Sequence, residues 1–381
     1  MLPEVTTHFA KLNTPLSLSS GDQLIDVTLA YEQYGKLNES KDNAILLFHA
    51  LSGSQHAYGH NPNIQGVGEL WKQENHEGWW NSIIGPGKPL DTDKYCIICV
   101  NYLGSCYGST GPTSPHPDDG KAYGSRFPKV TPYDQAKAQA QLLDQLGIES
   151  IHLVGPSVGG LIGLSFACLY PQRVRSFISI GSGYKSSIQH KLSLFEQIVA
   201  IELDPNFKGG DYYGQSAPEQ GLALARIIGH KSFVYQEGLE LRANKTVGGN
   251  YGMLTWMTPT RSTQSYMLHQ GTKFAKRFDA NSYIRIADMW AEFDIRDLSP
   301  THNFAEAVKG LRQYQIPTLI FSIDTDACFT PAEQTDFTQS LKEAGIPAEY
   351  HLINSEKGHD SFLLEPELYA EPIVRILQLS K

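Results

Sequence analysis

The order of apolar runs and helical stretches predicts an α/β fold: a mostly parallel central sheet covered on both faces, with a helical middle block inserted between the two halves of the sheet. Two observations carry this. Short continuous apolar runs (Ala44 to His49, Tyr95 to Val100, Ile151 to Val154, Val174 to Ile180, Pro317 to Ser322) recur, and helical spacing fills the stretches between several of them. Alternation of this kind implies parallel strands buried on both faces. From about Tyr184 to Pro300 the alternation stops and helical stretches dominate, for example Leu192 to Ile201 and Gly221 to Ile228.

Taken in order, Asp26 to Glu32 alternates weakly, as a half-buried strand does. Ala44 to His49 and Tyr95 to Val100 read as central strands, separated by a long stretch containing Gly78-Trp79-Trp80 and Ile84-Gly85-Pro86-Gly87. A loop of that length inside a compact domain is usually functional. Asp134 to Leu146 carries Ala138, Leu142, Leu143 and Leu146 at helical spacing and ends at Gly147, a helix stop. Ile151 to Val154 is the next strand, Leu161 to Tyr170 a helix stopped by Pro171, and Val174 to Ile180 another strand. Alternation resumes at Pro317 to Ser322 and Ala348 to Ile353, and a helix near Ile373 to Leu379 closes the chain. The expected division is a core of residues 1–184 and 300–381 with a helical lid at 185–299.

At 381 residues the chain is long for one compact core, which suits a large domain carrying an insertion. Its 41% hydrophobic and 19% charged residues are ordinary for a globular protein. Asp and Glu outnumber Lys and Arg 40 to 31, a net charge of -9. That balance argues against general nucleic-acid binding but leaves room for a local basic groove for a phosphorylated ligand. Five cysteines, an odd number, make no disulfide framework. Cys96 and Cys99 form a C-x-x-C inside an apolar strand with no second half of a zinc site, so no metal is expected. The N-terminus lacks a basic patch followed by an apolar stretch, and no apolar run reaches membrane-spanning length. A soluble, cytoplasmic protein without membrane partners is the expectation.

Gly155-Pro156-Ser157-Val158-Gly159 matches G-x-S-x-G between a buried strand and a helix. That context is a nucleophile elbow, the sharp turn that lifts a serine above the sheet of an α/β-hydrolase fold. The helix N-terminus beyond it favours developing negative charge. A serine hydroxyl needs a base, and the base an orienting acid, in the chain order Ser, acid, His. Asp324 and Asp326, just after the Pro317 to Phe321 run, are both candidates for the acid. His359 lies on a loop after the Ala348 to Ile353 strand and fits the base. His351 falls inside the strand pattern; His49, His56 and His60 precede Ser157; His230 and His269 lie in the inserted block. The oxyanion hole takes the amide of Val158 and a second amide from the loop after Phe48, for which Leu51 is the candidate.

Longer motifs extend the reading. Asn101-Tyr102-Leu103-Gly104-Ser105-Cys106-Tyr107-Gly108-Ser109-Thr110-Gly111-Pro112 resembles a hallmark of homoserine O-acetyltransferases. So do Gly78-Trp79-Trp80, Ile84 to Lys88, Asp91-Thr92-Asp93, Gly221 to Arg226, Arg277 to Tyr283 and Gly358 to Leu363. The resemblance runs from about Leu29 to Leu364. It implies an α/β-hydrolase core with a helical lid, and acyl transfer from acetyl-CoA, a co-substrate rather than a bound cofactor, to the hydroxyl of L-homoserine. It also implies methionine biosynthesis as the pathway and a homodimer as the assembly. By the same resemblance the acid is Asp326, Asp360 holds the amino group of the acceptor, and Arg226 holds its carboxylate, a role suited to a bidentate guanidinium.

One departure stands out. The family usually reads Gly-Gly-Ser-Met-Gly-Gly-Met-Gln around its nucleophile, where this chain has Gly155-Pro156-Ser157-Val158-Gly159-Gly160-Leu161-Ile162. Pro156 lacks an N–H and fixes φ, and Val158 is stiff at χ1. The machinery is untouched, but the acyl group and acceptor are left open: succinyl-CoA or serine as alternatives, or water, which would make the chain an esterase or thioesterase.

Overall fold

The computed structural model describes residues 2–239, 243, 247–249 and 251–379. Eight strands form one sheet: β1 (His8–Lys11), β2 (Thr28–Tyr34), β3 (Ala44–Leu47), β4 (Cys96–Val100), β5 (Ile151–Pro156), β6 (Val174–Ile180), β7 (Thr318–Ile323) and β8 (Ala348–Ile353). Their spatial order is β1-β2-β4-β3-β5-β6-β7-β8. β1 and β2 pair antiparallel and so do β2 and β4; every later pairing is parallel. The longer helices are α1 (Pro132–Leu146), α2 (Val158–Leu169), α3 (Ile188–Glu202), α4 (Glu219–Phe233), α5 (Ser262–Ala275), α6 (Ala280–Ala291), α7 (Pro331–Glu343) and α8 (Ala370–Leu379).

The continuous apolar strands have the burial their sequences require. Every residue of β3, β4, β5 and β7 is buried. Because side chains alternate across a strand, β3 sends Ala44 and Leu46 to one core and Ile45 and Leu47 to the other. The first core packs under α1, α2 and α7 through Leu142, Leu143, Leu161, Leu164, Phe337 and Leu341. The second packs under α8 through Ile373, Ile376 and Leu377 and includes Trp80 from the long loop. Cys96 and Cys99 fall on opposite faces of β4, one in each core, which is the spacing a strand imposes on i and i+3.

Helix ends follow local chemistry. Thr131 and Asp134 form a reciprocal capping box at the start of α1, with Pro132 in its first turn. Two boundaries differ from the sequence reading. Helix α2 begins at Val158 rather than Leu161, because Gly159 and Gly160 lie inside its first turn. Helix α3 begins at Ile188 rather than Leu192, because Ser187 accepts a hydrogen bond from the His190 amide and caps it there. The helices α3 to α6 all lie between β6 and β7 in the chain. Among the described residues, no helix is long and apolar enough to cross a membrane.

Candidate active site

Three loops at the C-terminal ends of β5, β7 and β8 bring Ser157, Asp326 and His359 together. Ser157 has φ +54° and ψ −129°, a left-handed backbone that a non-glycine residue adopts only when its surroundings hold it. Its N–H donates to Ile180 C=O at 2.8 Å, which ties the turn to β6. The turn also needs room. A Cβ on Gly160 would stand 2.5 Å from Ser182 Cβ, and one on Gly159 2.8 Å from Phe48 Cβ, so the two glycines let α2 sit close against the sheet. Pro156 occupies the last position of β5, and Val158 is buried.

The Ser157 hydroxyl lies 2.9 Å from His359 Nε2, and His359 Nδ1 lies 2.7 Å from Asp326 Oδ2. A carboxylate only accepts, so Nδ1 carries the proton and Nε2 is free to take one from Ser157. The other Asp326 oxygen accepts from the amides of Cys328 at 2.7 Å and Phe329 at 2.9 Å, which fixes the carboxylate. Asp324 is engaged elsewhere: its carboxylate accepts from the Ser355 amide at 2.9 Å. The His359 ring sits among Phe233, Phe329 and Phe362. Burial alone would lower its pKa, but the charge and hydrogen bond of Asp326, with the charge of Asp360, outweigh it and hold the imidazole above its ordinary value. The amides of Val158 and Leu51 donate to no described residue, which leaves both able to receive an oxyanion.

Beside the triad is a cavity of about 310 Å³, lined by Ala50, Ser52, Trp79, Arg226, Asp360 and Arg277 among others. Its wall therefore includes the chain neighbours of Leu51 and His359. Arg226 makes no ion pair with a described residue; its guanidinium lies over the rings of Phe233 and Phe274, at 5.3 and 5.0 Å. Asp360 acts electrostatically on both Arg226 and His359. The wall also carries Lys273 and Arg277, both paired with Glu74, and Glu77; the Arg226 guanidinium and the Asp360 carboxylate beside them have the charges to receive a zwitterion.

Sequence reasoning did not pick out several residues of this wall. Glu74 bridges Lys273 at 2.8 Å and Arg277 at 3.1 Å, and Arg277 also donates to Ser52 C=O at 3.3 Å and Tyr107 OH at 3.1 Å. Arg277 thereby joins the end of α5 to the loop that carries Leu51. It opens a quoted motif, so a signal was there; Glu74 had none. His56, which chain order excludes as the base, borders the cavity with its side chain buried, Nδ1 on Glu32 at 2.8 Å and Nε2 on His76 C=O at 3.0 Å. His49 stacks on Tyr102, and His351 packs against Phe321. Among the described residues no group of His, Cys, Asp and Glu could hold a metal ion.

A sheet of this order, with a serine on the turn after β5 and a histidine on the loop after β8, defines an α/β hydrolase. The family described as "alpha/beta hydrolase fold" matches residues 43–366. A homoserine O-acetyltransferase from Deferribacter desulfuricans is 39% identical over 367 residues, 95% of this chain and 92% of that one. The crystal structure of homoserine O-acetyltransferase from Bacillus anthracis is 26% identical with a TM-score of 0.85, covering 99% of this chain and 98% of that one. The crystal structure of esterase E22 is 27% identical with a TM-score of 0.84, covering 98% and 100%. The chain belongs to the homoserine O-acetyltransferase family of α/β hydrolases.

Proposed function

We propose that the protein transfers an acetyl group from acetyl-CoA to the hydroxyl of L-homoserine through an acyl-Ser157 intermediate, as a step of methionine biosynthesis. The observation that carries the reading is the hydrogen-bonded chain Ser157–His359–Asp326 beside a cavity that holds Arg226 and Asp360; the names of the relatives supply the acetyl group and homoserine. His359 Nε2 takes the Ser157 proton as Oγ bonds to the thioester carbon. Asp326 holds the tautomer and stabilises the imidazolium. The amides of Val158 and Leu51 receive the oxyanion, each worth about 3–4 kcal/mol in comparable sites. The C–S bond breaks, and the CoA thiolate leaves with the proton from His359. Homoserine enters with its carboxylate on Arg226 and its amino group on Asp360. His359 removes its hydroxyl proton, the oxygen attacks the acyl carbon, and the proton returns to Ser157. Helices α3 to α6, with residues 185–299 as the lid, keep water from the acyl-enzyme. The protein acts in the cytoplasm; it works as a homodimer, and the exposed Ile188, Leu192 and Phe195 of α3 favour the dimer.

A hydrolytic reading has one observation in its favour, the likeness to esterase E22 over nearly the whole chain. Both are tested by incubating the purified protein with acetyl-CoA or succinyl-CoA, each with homoserine or serine, and weighing the products by mass spectrometry. O-Acetylhomoserine as the main product is the expected result. Free acid and CoA without ester would make the chain a hydrolase; a different ester would change the acyl group or acceptor.

A further inference from the structure

Next to the Arg226–Asp360 cavity is a second one of about 300 Å³, lined by Lys72, Glu74, Tyr251, His269, Thr272, Lys273 and Lys276. The two cavities share Glu74 and Lys273, so they adjoin. The outer one gathers three lysines and a histidine against a single carboxylate, in a chain whose net charge is -9. Glu74 is already committed to Lys273 and Arg277, and neither Lys72 nor Lys276 forms an ion pair with a described residue. Like charges held in one cavity repel, and an anion bound among them relieves that repulsion.

Two details favour a binding site over chance. His269, Lys273 and Lys276 follow the i, i+4, i+7 spacing that puts side chains on one face of α5 and its C-terminal extension. Lysines at that helix end have a local reason, since they complement the helix dipole. Lys72 has no such reason: it comes from the long loop after β3, some 200 positions away in the sequence, and lines the same cavity. An ammonium is a point charge that suits phosphate oxygens without demanding a planar partner.

We propose that Lys72, Lys273 and Lys276, with His269, form the subsite for the phosphates of the acyl-CoA donor, placing the nucleotide at the outer cavity and the thioester toward Ser157. This rests on the acyl-CoA reading above. The site recognises the charged nucleotide end and makes no contact with the reacting acyl group.

The test compares the wild type with a Lys72→Gln, Lys276→Gln double variant, both sites being at least partly exposed. Steady-state kinetics are measured with acetyl-CoA and with S-acetylpantetheine, which lacks the phosphates, and binding of adenosine 3′,5′-bisphosphate is measured by calorimetry. The KM for acetyl-CoA should rise about ten-fold, the order expected when charge-assisted hydrogen bonds are lost, and the KM for S-acetylpantetheine should be the same in both proteins. Added salt should raise the wild-type KM for acetyl-CoA more than the variant's. If the wild type makes O-acetylhomoserine but the double substitution leaves the KM for acetyl-CoA unmoved, or raises both donors' KM alike, the subsite is overturned and the activity stands. If the wild type makes no ester, the reading of the reaction fails and calorimetry decides the subsite. Weaker bisphosphate binding by the variant then upholds it, and equal or absent binding overturns it.

Discussion

His359 is pulled in two directions. Burial among phenylalanines works against its charge, while Asp326 and Asp360 favour it, and the carboxylates prevail. The base must be neutral to accept the Ser157 proton, so kcat/KM should fall as pH drops through the His359 pKa of the free enzyme. Because that pKa is raised, the acid limb should lie above 6.5, the ordinary value for the group. Replacing Asp326 by Asn removes the leading cause of the rise and leaves burial to act, so the limb should move down. The rate should also drop by about 10⁴-fold, because the amide favours the wrong tautomer. A pH–rate profile of both proteins checks this: a wild-type limb below 6.5, or one that stays put in Asp326→Asn, would show that Asp326 does not set the base.

At the scale of elements, the loop after β3 is held by a buried pair. Both side chains of Glu32 and His56 are inaccessible, and Glu32 also accepts from Thr7, Tyr34 and Asn61. His56 Nε2 must carry a proton to meet the His76 carbonyl. Burial raises the Glu32 pKa, but the hydrogen bond and charge of His56, with Thr7 and Asn61, lower it further than burial lifts it. A carboxylate with a depressed folded pKa contributes stability that is present above its unfolded value and lost as pH falls through the folded one. Glu32→Gln should therefore destabilise the fold by about 3–5 kcal/mol at neutral pH, as expected when one partner of a buried pair is removed. The gap between the two proteins should shrink as pH falls below 4.5, the ordinary value for the group. Unfolding midpoints measured across that range test it; a gap that does not change with pH would mean that Glu32 folds uncharged. None of this was legible in the sequence. Glu32 sits in an alternating strand and His56 in a loop, and only the folded chain brings residues 7, 32, 56 and 61 to one point. The elbow was legible because strand, G-x-S-x-G and helix are contiguous, so local chemistry fixes the geometry.

At the scale of the whole molecule, the continuous apolar strands made the parallel sheet readable, since burial on both faces leaves a mark in every residue of β3, β4, β5 and β7. The cavity walls were not readable, because they come from segments as far apart as Ser52, Glu74, Arg226 and Asp360. The α3 surface lies between these cases. Ile188, Leu192 and Phe195, with Leu203 just past the helix, are 71%, 56%, 63% and 77% exposed, and Leu224 of α4 is 45% exposed. Residues 188, 192, 195 and 203 recur at helical spacing on one face, so they read as core in a sequence, yet the fold turns them outward. Apolar side chains gathered on one surface are more than the scattered exposure a monomer shows. A second copy of the chain, meeting this stripe with its own about a two-fold axis, would cover both at once. Light scattering should then give twice the chain mass for the wild type. A Leu192→Asp, Phe195→Asp variant should run as a monomer, because four buried carboxylates per dimer face no compensating charge. Helical content by circular dichroism should be unchanged, as both side chains already face water. A wild-type monomer, or a variant that stays dimeric, would move the interface off α3 and leave the stripe without a partner of its own kind.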